Sequence, residues 1–249
     1  PDLVDRCFPP VAPNIAHVVI NRDARDALRN RRGVEALLLP NVMDFERGPK
    51  HVGDGAAFRH RAGLEAHDTV LLQPTRVIER KGIEHTIELA ARLDDRAVKV
   101  VVTHPGDLTQ EYWQLLNDLA VDLGVDLRLF PAGEDAQSLA DAYAAADLVC
   151  FPSIYEGFGN ALLEAFYFRR PVFVNRYSVY ARDIAPTGVR CVEINGVVTD
   201  AAVAEVKRLL ADPGRADDAV ARNYEIGLEH FSFAVVRDVY ENAFEALGL

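Results

Sequence analysis

The amino-acid sequence predicts an α/β fold in which helices flank a sheet of parallel strands. Short runs rich in Val, Ile and Leu alternate with longer segments of helical periodicity, which is the pattern of repeated β-α-β units. Most of these runs are nearly continuous in apolar residues, as expected for strands that are covered on both faces. The predicted strands are 17–20, 36–39, 69–73, 98–103, 127–130, 148–151, 172–175 and 190–194.

Apolar residues at three- and four-residue steps predict amphipathic helices between the strands. In two segments the apolar stripe should face the sheet. Its residues are Ile83, Ile87, Ala90 and Ala91 in the first segment and Leu115, Leu116, Leu119 and Leu123 in the second. The last fifty residues or so are predicted to form only helices, near 200–211, 215–229 and 232–247, with Asp-Pro-Gly at 212–214 as a break.

Composition and charge describe a globular protein and exclude one class of partner. The 249 residues are 49% hydrophobic, and 38 acidic residues against 27 basic ones give a net charge of −11. This charge argues against a nucleic-acid surface, because phosphate backbones require clustered Lys and Arg. Any anionic ligand must therefore meet a local positive site.

Cysteine usage and the start of the chain indicate the cellular setting. Cys7, Cys150 and Cys191 are widely spaced and outline neither a disulfide framework nor a metal site. No apolar run is long enough for a transmembrane segment, and the first residues lack the regions of a signal peptide. We therefore expect a cytoplasmic protein. Because an initiating Met is also absent, we interpret the chain as part of a longer protein.

A change in composition at 46–63, where Gly, Pro and charged residues accumulate, indicates a domain boundary. We place this boundary just before the change, near Asn41. Residues 1–40 contain about two strands and one helix, which is too little to bury a core of their own. They are expected to be the end of a preceding domain and its linker, and 41–249 to be one ligand-binding domain.

The first chemically informative run, 73–82 (QPTRVIERKG), follows a predicted strand and precedes a helix that begins near Ile83. Ligands of open parallel sheets bind beyond the carboxyl ends of the strands, and helix N-termini favour anions. Arg76 and Lys81 are therefore candidates to bind a diphosphate. The alternative is a solvated basic turn, since Glu79 and Arg80 lie in the same run.

The second run, 152–165 (PSIYEGFGNALLEA), passes from a predicted strand through two glycines into a helix. The first free N–H groups of that helix should lie near Gly159 and Asn160, where they can bind phosphate or sugar oxygens. Glu156 in the loop and Glu164 one turn into the helix can each accept both hydroxyls of a vicinal diol. Alternatively both are ordinary surface acids, although an acid among apolar neighbours, as at Glu164, needs a partner.

The ordered combination of these runs resembles the retaining GT-B glycosyltransferases of family four, also called glycosyl transferases group 1. The resemblance rests on Arg76, then Lys81-Gly82, then Glu156 and Glu164 separated by seven residues. Residues 39–45 (LPNVMDF) also resemble the interdomain linker of that family, and the similarity extends from about residue 36 to the final helix. The resemblance implies a Rossmann-like domain, the C-terminal, donor-binding half of a GT-B fold.

By this resemblance, each motif residue has an expected role in binding a nucleotide-diphosphate sugar. Arg76 and Lys81 would bind the diphosphate, and Glu164 the ribose hydroxyls. Glu156 is the acid expected at the reacting centre. The transferred sugar and its phosphate would also meet the backbone of Gly157, Phe158, Gly159 and Asn160. The loop 130–133, which includes Pro131, would either receive the nucleobase, with 135–139 behind it, or form only a structural turn.

The sequence departs from the family pattern at three places, of which the second and third bear on sugar choice. His104 lies where a glycine-rich turn is common, and it is either a substrate contact or, as we favour, simply a loop residue. Asn160 replaces a frequent aliphatic residue. The run 175–180 (NRYSVY) replaces small residues. It resembles the corresponding segment of enzymes that build glycerate-containing glucosides and mannosides.

The implied reaction is transfer of a hexose, with retention, from a donor such as UDP-glucose or GDP-mannose to an acceptor hydroxyl. Negative charge grows on the leaving diphosphate, and cations with helix N–H groups can stabilise it. We therefore expect no metal requirement and no other cofactor. A small-molecule or glycan acceptor would bind the absent N-terminal domain, so this chain alone should transfer little.

Two alternative functions use the same architecture, and a third class is disfavoured. A nucleotide-sugar epimerase would need acid and base groups, for which His17, His104 and Glu156 are available. A non-catalytic sugar-nucleotide-binding module is also possible. A nicotinamide oxidoreductase is disfavoured because no Gly-x-Gly-x-x-Gly follows the first strands.

The final predicted helix bears an apolar stripe that could mediate self-association. Its residues are Phe231, Phe233, Val236, Tyr240 and Phe244. In a full-length enzyme part of this stripe would contact the preceding domain, so here we expect some of it to be exposed.

Overall fold

The computed structural model describes residues 11–106, 109–131 and 136–248. Its central element is a six-stranded parallel sheet. In chain order the strands are β1 (Val18–Val19), β2 (Leu37–Leu38), β3 (Thr69–Arg76), β4 (Val98–His104), β5 (Asp126–Leu129), β6 (Leu148–Phe151), β7 (Val172–Asn175) and β8 (Val192–Ile194). The spatial order of the sheet is β5-β4-β3-β6-β7-β8, and β1 pairs with β2 in a separate parallel pair. All eight predicted strands are confirmed, with small differences at their ends.

Helices connect the strands and cover both faces of the sheet. They are α1 (Arg22–Arg32), α2 (Gly55–Arg61), α3 (Ile83–Leu93), α4 (Gln110–Leu123), α5 (Ala136–Ala145), α6 (Asn160–Tyr167), α7 (Asp200–Ala211), α8 (Pro213–His230) and α9 (Phe233–Leu247). The α/β class with a Rossmann-like sheet is thus confirmed. Among the described residues, no helix combines the length and the apolar character needed to cross a membrane.

The predicted break at 212–214 is wrong in its extent, because Pro213 and Gly214 already belong to α8. Only Asp212 separates α7 from α8, and its carboxylate accepts a hydrogen bond from the Arg215 N–H. Proline is well tolerated at the first helical position, where its missing N–H has no intrahelical partner to lose. Here proline starts a helix and does not interrupt the chain.

The predicted apolar stripes of α3 and α4 differ in how far the structure buries them. Ile83, Ile87 and Ala90 of α3 are buried, as expected. In α4, Leu116 is fully buried, but Leu115 is 56% and Leu123 43% exposed, so the prediction that all four leucines face the sheet is wrong. The reason is that α4 packs on α3 and on the half-buried edge strand β5, which cover only one side of the helix.

The sheet separates two apolar clusters, one on each face. Alternating residues of a strand point to opposite faces, so Leu72 joins the cluster that contains α5 and α6, whereas Leu71 joins the cluster under α3 and α7. The same alternation places Phe151 and Cys150 of β6 in different clusters. Burial on both faces explains why these strands are continuous apolar runs in the sequence.

The segment that resembles the family linker is anchored to the domain through Phe45. This side chain is 1% exposed, and its ring meets the rings of Tyr167 and Tyr224 edge to face, at centroid distances of 5.5 and 5.4 Å. The Tyr224 hydroxyl donates to the Phe45 carbonyl oxygen at 2.8 Å. The linker therefore packs against α6 and α8 as part of the core.

The aromatic stripe predicted on the last helix is partly exposed. Phe233, Tyr240 and Phe244 of α9 are each about half exposed, at 52%, 49% and 49%. Phe231 differs from the prediction: it is buried, and it precedes the helix as the residue after α8. Its ring packs edge to face on Phe158, with the centroids 5.8 Å apart.

The contact between α8 and Phe45 yields a stability prediction. A Cβ atom on Gly227 would lie 2.4 Å from the Phe45 ring, and that ring cannot move away because two tyrosines enclose it. We expect Gly227→Ala to lower the free energy of unfolding by about 1–3 kcal/mol, the usual cost of overpacking a core, in urea unfolding experiments.

The matched control is Gly214→Ala in the same helix. Its Cβ atom would meet nothing closer than 3.4 Å, so this variant should be neutral or slightly more stable than the wild type. Equal effects of the two substitutions would contradict the assigned contact.

Candidate functional site

The strand order reverses between β3 and β6, and a cleft lies at this switch point. β3 continues through β4 to β5 on one side, whereas β6 continues through β7 to β8 on the other. The loops that leave the carboxyl ends of β3 and β6 diverge, and open α/β sheets bind ligands in the crevice that such loops form. A cleft of about 420 Å³ occupies this position.

Both sequence motifs contribute to the lining of the cleft. The motif residues that line it are Arg76, Arg80, Lys81, Glu156, Gly157, Phe158, Gly159, Asn160 and Glu164. Other lining residues include Ile20, Asn41, Thr75, His104, Leu139 and Phe151. The sheet therefore brings together two runs that are far apart in the chain, including all but one of the predicted site residues.

The remaining predicted site residue, Pro131, is exposed and is absent from the residues that line this cleft. Its neighbour Phe130 packs edge to face on Phe58, with ring centroids 5.2 Å apart. Ala132, Gly133 and Asp135 of the same predicted base pocket lie outside the described residues, as does Cys7. The assignment of this loop to the nucleobase stays a prediction.

Gly82 allows the loops after β3 and β6 to approach closely. Its φ is +62°, and a Cβ atom there would lie 2.4 Å from the Pro152 carbonyl oxygen. Any side chain would therefore be strained and would collide with backbone. A hydrogen bond of 2.8 Å from the Ile154 N–H to the Arg80 carbonyl oxygen joins the same two loops.

Glu156 is a buried carboxylate held by two cations. The residue is 7% exposed. Its Oε1 pairs with the Lys81 ammonium, and its Oε2 accepts from the Arg80 guanidinium at 3.0 Å. Arg80 also donates to the Tyr155 carbonyl oxygen at 2.9 Å. The sequence placed Arg80 only in a possible solvated turn and did not predict its contact with Glu156.

Lys81 is buried together with its partner. It is 9% exposed, and its ammonium lies 5.5 Å from the centre of the Phe151 ring. Burial lowers the pKa of Lys81, because the charged form loses hydration, while the hydrogen bond and the charge of Glu156 counteract part of that effect. The solvated alternative for this part of the turn is therefore wrong for Lys81.

Arg76 and His104 stand side by side at the ends of β3 and β4, where they are paired in the sheet register. Arg76 is exposed, and its side chain covers Gly106, where a Cβ atom would lie 2.8 Å from the Arg76 Cγ. His104 is the last residue of β4 and lines the cleft, so the interpretation of it as simply a loop residue is wrong. Burial lowers the pKa of its imidazole.

The loop before α6 is shaped by Gly159 and supported by Tyr177. Gly159 has a φ of +120°, and a Cβ atom there would lie 2.4 Å from the Tyr177 hydroxyl oxygen. That hydroxyl donates to the Phe158 carbonyl oxygen at 2.6 Å. Helix α6 then begins at Asn160, as predicted, and the first two residues of the helix, Asn160 and Ala161, line the cleft.

Asn175 supports the same loop from β7. Its amide donates to the Ser153 carbonyl oxygen at 3.0 Å and its side-chain oxygen accepts from the Gly196 N–H at 2.8 Å. The unusual run 175–180 therefore lies behind the cleft-lining residues, and two of its members hold the loop in place. A polar residue at the end of an otherwise apolar buried strand was the sequence signal for this role.

Asn160, the other departure from the family pattern, connects the cleft to the linker. Its side-chain oxygen accepts a hydrogen bond from the Asn41 amide. A second contact reaches the loop from the same part of the chain, since Asn21 donates to the Gly157 carbonyl oxygen at 2.6 Å. Residues before the predicted domain boundary thus contact the site directly.

Glu164 has the partner that its apolar surroundings require. The fully buried Tyr143 donates to Glu164 Oε2 at 2.8 Å. Burial nevertheless raises the pKa of the Glu164 carboxyl above its ordinary value, and the Tyr143 hydrogen bond offsets only part of the increase. Because Glu164 also lines the cleft, it presents a partly desolvated acceptor to any ligand there.

Comparison with known proteins relates this site to a family. A family model described as "Glycosyl transferases group 1" matches residues 56–226, a range that contains both motifs and most of the sheet. The chain belongs to the glycosyl transferases group 1. The resemblance stated from the motif residues is thereby confirmed.

Curated relatives extend the similarity over most of the chain. Mannosylglucosylglycerate synthase of Thermotoga maritima is 32% identical over 96% of this chain and 63% of its own length. The enzyme of the same name from Petrotoga mobilis is 33% identical over 78% of this chain and 51% of its own length. The chain therefore spans about half to two thirds of these relatives.

A solved structure shares the fold at lower sequence identity. The structure of a glycosyltransferase from Rickettsia africae superposes with a TM-score of 0.79 and 14% identity, covering 99% of this chain and 68% of that one. This agreement supports the Rossmann-like fold of the domain.

The raised pKa of Glu164 yields a pH prediction. The native state holds this proton more tightly than the unfolded state, so the contribution of Glu164 to stability is present at acidic pH and is lost as pH rises through the native pKa. The free energy of unfolding of the wild type, relative to Glu164→Gln, should therefore be larger at pH 4 to 5 than at pH 8, in urea titrations.

Tyr143→Phe provides the matched comparison, because it removes the hydroxyl that lowers the pKa of Glu164. The pH dependence should then extend to higher pH. A constant difference between wild type and Glu164→Gln across the pH range would contradict the assigned burial.

Proposed function

We propose that the protein is a retaining glycosyltransferase that moves a hexose from a nucleotide-diphosphate sugar to an acceptor hydroxyl, and that this chain forms its donor-binding half. One observation carries the proposal: Arg76, Arg80, Lys81 and the start of α6 meet Glu156 and Glu164 in one cleft at the switch point of the sheet. Such a cleft offers positive groups to a diphosphate and acceptors to sugar hydroxyls.

The diphosphate is assigned to the side of the cleft between Arg76 and α6. Arg76 has an exposed guanidinium, and the first turn of α6 adds N–H groups and the positive end of the helix dipole. Charge develops on the leaving diphosphate in the transition state, and fixed cations stabilise it without reorganisation. This arrangement supports transfer that requires no metal ion or other cofactor.

The ribose is assigned to Glu164. One carboxylate oxygen of Glu164 accepts from Tyr143, which fixes the orientation of the group and leaves acceptor capacity on both oxygens. A vicinal diol can then donate two hydrogen bonds to the carboxylate. The desolvation of Glu164 makes each of these bonds stronger than in water.

The transferred hexose is assigned to Glu156 and the backbone of 157–160. Glu156 is the acid that contacts the proposed cations of the diphosphate site, because it pairs with both Lys81 and Arg80. An oxocarbenium-like transition state places positive charge on the sugar ring, and a neighbouring carboxylate stabilises that charge. We propose this electrostatic role for Glu156 and do not assign a covalent intermediate.

For the donor and acceptor we propose GDP-mannose and a glucosylglycerate-like hydroxyl compound. Two relatives that are 32% and 33% identical are named mannosylglucosylglycerate synthases, and a third relative is named a GDP-mannose-dependent mannosyltransferase. The run 175–180 supports the loop that would contact the hexose, which is consistent with a role in sugar choice.

The acceptor site is proposed to lie mainly on a preceding domain, of which residues 1–40 are the end. The contacts of Asn21 and Asn41 with Gly157 and Asn160 support a cleft that is completed by this part of the protein. Binding sites between domains form only when both halves are present, so the chain alone should bind donor weakly and transfer little. The exposed aromatics of α9 are a proposed surface for that domain or for self-association.

The first functional prediction concerns the two motifs. Calorimetric titration should show saturable binding of a sugar nucleotide to the wild type, with or without magnesium. Binding should be weakened at least about tenfold in Lys81→Met and in Glu164→Gln, since each loses a charged hydrogen-bonding group. Lys207→Met is the matched control, because Lys207 is exposed on α7 and does not line the cleft.

Absence of sugar-nucleotide binding in folded wild-type protein would contradict the donor-binding assignment. Equal loss of binding in Lys81→Met and Lys207→Met would show a general effect of charge, since each removes one positive charge. Product analysis with the full-length enzyme separates transfer from epimerisation, because an epimerase would return an intact nucleotide sugar.

The second functional prediction concerns the donor. GDP-mannose should bind more tightly than UDP-glucose or NAD in the same titrations, and the order should persist in competition experiments. Tighter binding of UDP-glucose would contradict the proposed donor while leaving the donor-binding assignment in place.

A further inference from the structure

We propose that Glu156 acts as a specificity residue that distinguishes a sugar-bearing donor from the bare nucleoside diphosphate, because its carboxylate competes with the diphosphate for Lys81. The inference rests on the proposed function, and it adds a discrimination between substrate and product. It follows from the contacts that Glu156 makes with Lys81 and Arg80.

Glu156 is already paired with Lys81, the cation that a diphosphate would bind. The Lys81 ammonium pairs with Glu156 Oε1, and both residues are less than one tenth exposed. On its other side Lys81 faces the Phe151 ring, 5.5 Å from its centre. An incoming anion therefore meets a lysine whose charge is already neutralised by an internal carboxylate.

Arg80 keeps the carboxylate in place when Lys81 changes partner. Arg80 donates to Glu156 Oε2 at 3.0 Å and to the Tyr155 carbonyl oxygen at 2.9 Å, so it holds Glu156 through an oxygen that Lys81 does not use. When a diphosphate binds Lys81, only Oε1 of Glu156 loses its hydrogen-bond partner. Glu156 then remains in the cleft, close to the anion that replaced it.

The free-energy cost of replacing Glu156 by a diphosphate at Lys81 depends on the other groups of the ligand. A buried charged group that loses its hydrogen-bond partner is strongly destabilised, and two anions in one cleft repel each other. A hexose attached to the diphosphate can donate hydroxyl groups to the freed Oε1 and thereby offset the cost. A bare nucleoside diphosphate has no such donor at this position.

The consequence is weaker binding of the product than of the donor. After transfer the sugar leaves the diphosphate, so Glu156 regains Lys81 and displaces the product. The carboxylate thus favours release of the nucleoside diphosphate. This effect is separate from any stabilisation of the transition state.

The test compares bare and sugar-bearing ligands by calorimetric titration. Inorganic pyrophosphate, GDP and GDP-mannose are titrated into wild type, Glu156→Gln and Glu79→Gln. Glu79→Gln is the matched control, because it removes the same charge from an exposed position two residues before Lys81. Pyrophosphate isolates the diphosphate site, since it lacks both the nucleoside and the sugar.

Glu156→Gln should bind pyrophosphate and GDP about tenfold more tightly than wild type, because the competing anion is gone. GDP-mannose should gain less or should weaken, so the preference for GDP-mannose over GDP falls. Glu79→Gln should keep the wild-type preference. Unchanged or weaker binding of GDP and pyrophosphate in Glu156→Gln, or equal tightening in both variants, would overturn the proposal.

Glu156→Asp is a second variant, to be used if Glu156→Gln does not fold because Lys81 and Arg80 have lost their counter-charge. It keeps the charge but withdraws the carboxylate from Lys81 by one methylene. GDP should bind this variant with an affinity between those of wild type and Glu156→Gln, and a folded Asp variant with wild-type affinities would overturn the proposal.

The outcomes also separate this inference from the proposed function. If wild type binds neither GDP-mannose nor UDP-glucose, the donor-binding function itself is wrong. If UDP-glucose is the ligand that binds, UDP replaces GDP in the comparison. If wild type binds a sugar nucleotide and the variants leave its preference unchanged, only the role of Glu156 is wrong.

Discussion

The ion cluster formed by buried Glu156 and Lys81 with the partly exposed Arg80 is the interaction on which the site depends. It joins the loops that leave β3 and β6, the two strands between which the sheet changes direction. Removing one member of such a cluster leaves an uncompensated buried charge, whereas an apolar replacement of the whole cluster is often neutral or stabilising. Stability alone therefore does not account for the cluster, and ligand binding is the role we propose for it.

The surrounding residues keep that cluster in a narrow geometry. Gly82 permits contact with the Pro152 carbonyl, Gly159 leaves space for the Tyr177 hydroxyl, and Asn175 holds the Ser153 carbonyl from β7. Gly82 and Asn175 are not among the residues that line the cleft, so they need not touch a ligand. They act by fixing the backbone whose N–H groups and side chains face the cleft, and precise placement of binding groups requires such support.

Two departures from the family pattern acquire a structural explanation. Asn160 is bonded to Asn41 of the linker, and the run 175–180 supports the loop before α6 while Ser178 contacts Asp23 of α1. Both therefore connect the Rossmann-like domain to the chain that precedes it. A substitution at these positions is expected to alter the contacts between the cleft and that preceding segment.

Local patterns in the sequence were sufficient to determine the strands, most helices and the two motifs, because apolar periodicity and glycine positions act over short distances. They were insufficient for Leu115 and Leu123, whose exposure depends on α4 lying over an edge strand, and for His104 and Arg80, whose neighbours come from other strands and loops. The order of residues along the chain determines which side chains follow each strand. Which of those side chains meet is decided only when β3 and β6 become neighbours, because that pairing depends on the packing of the whole sheet.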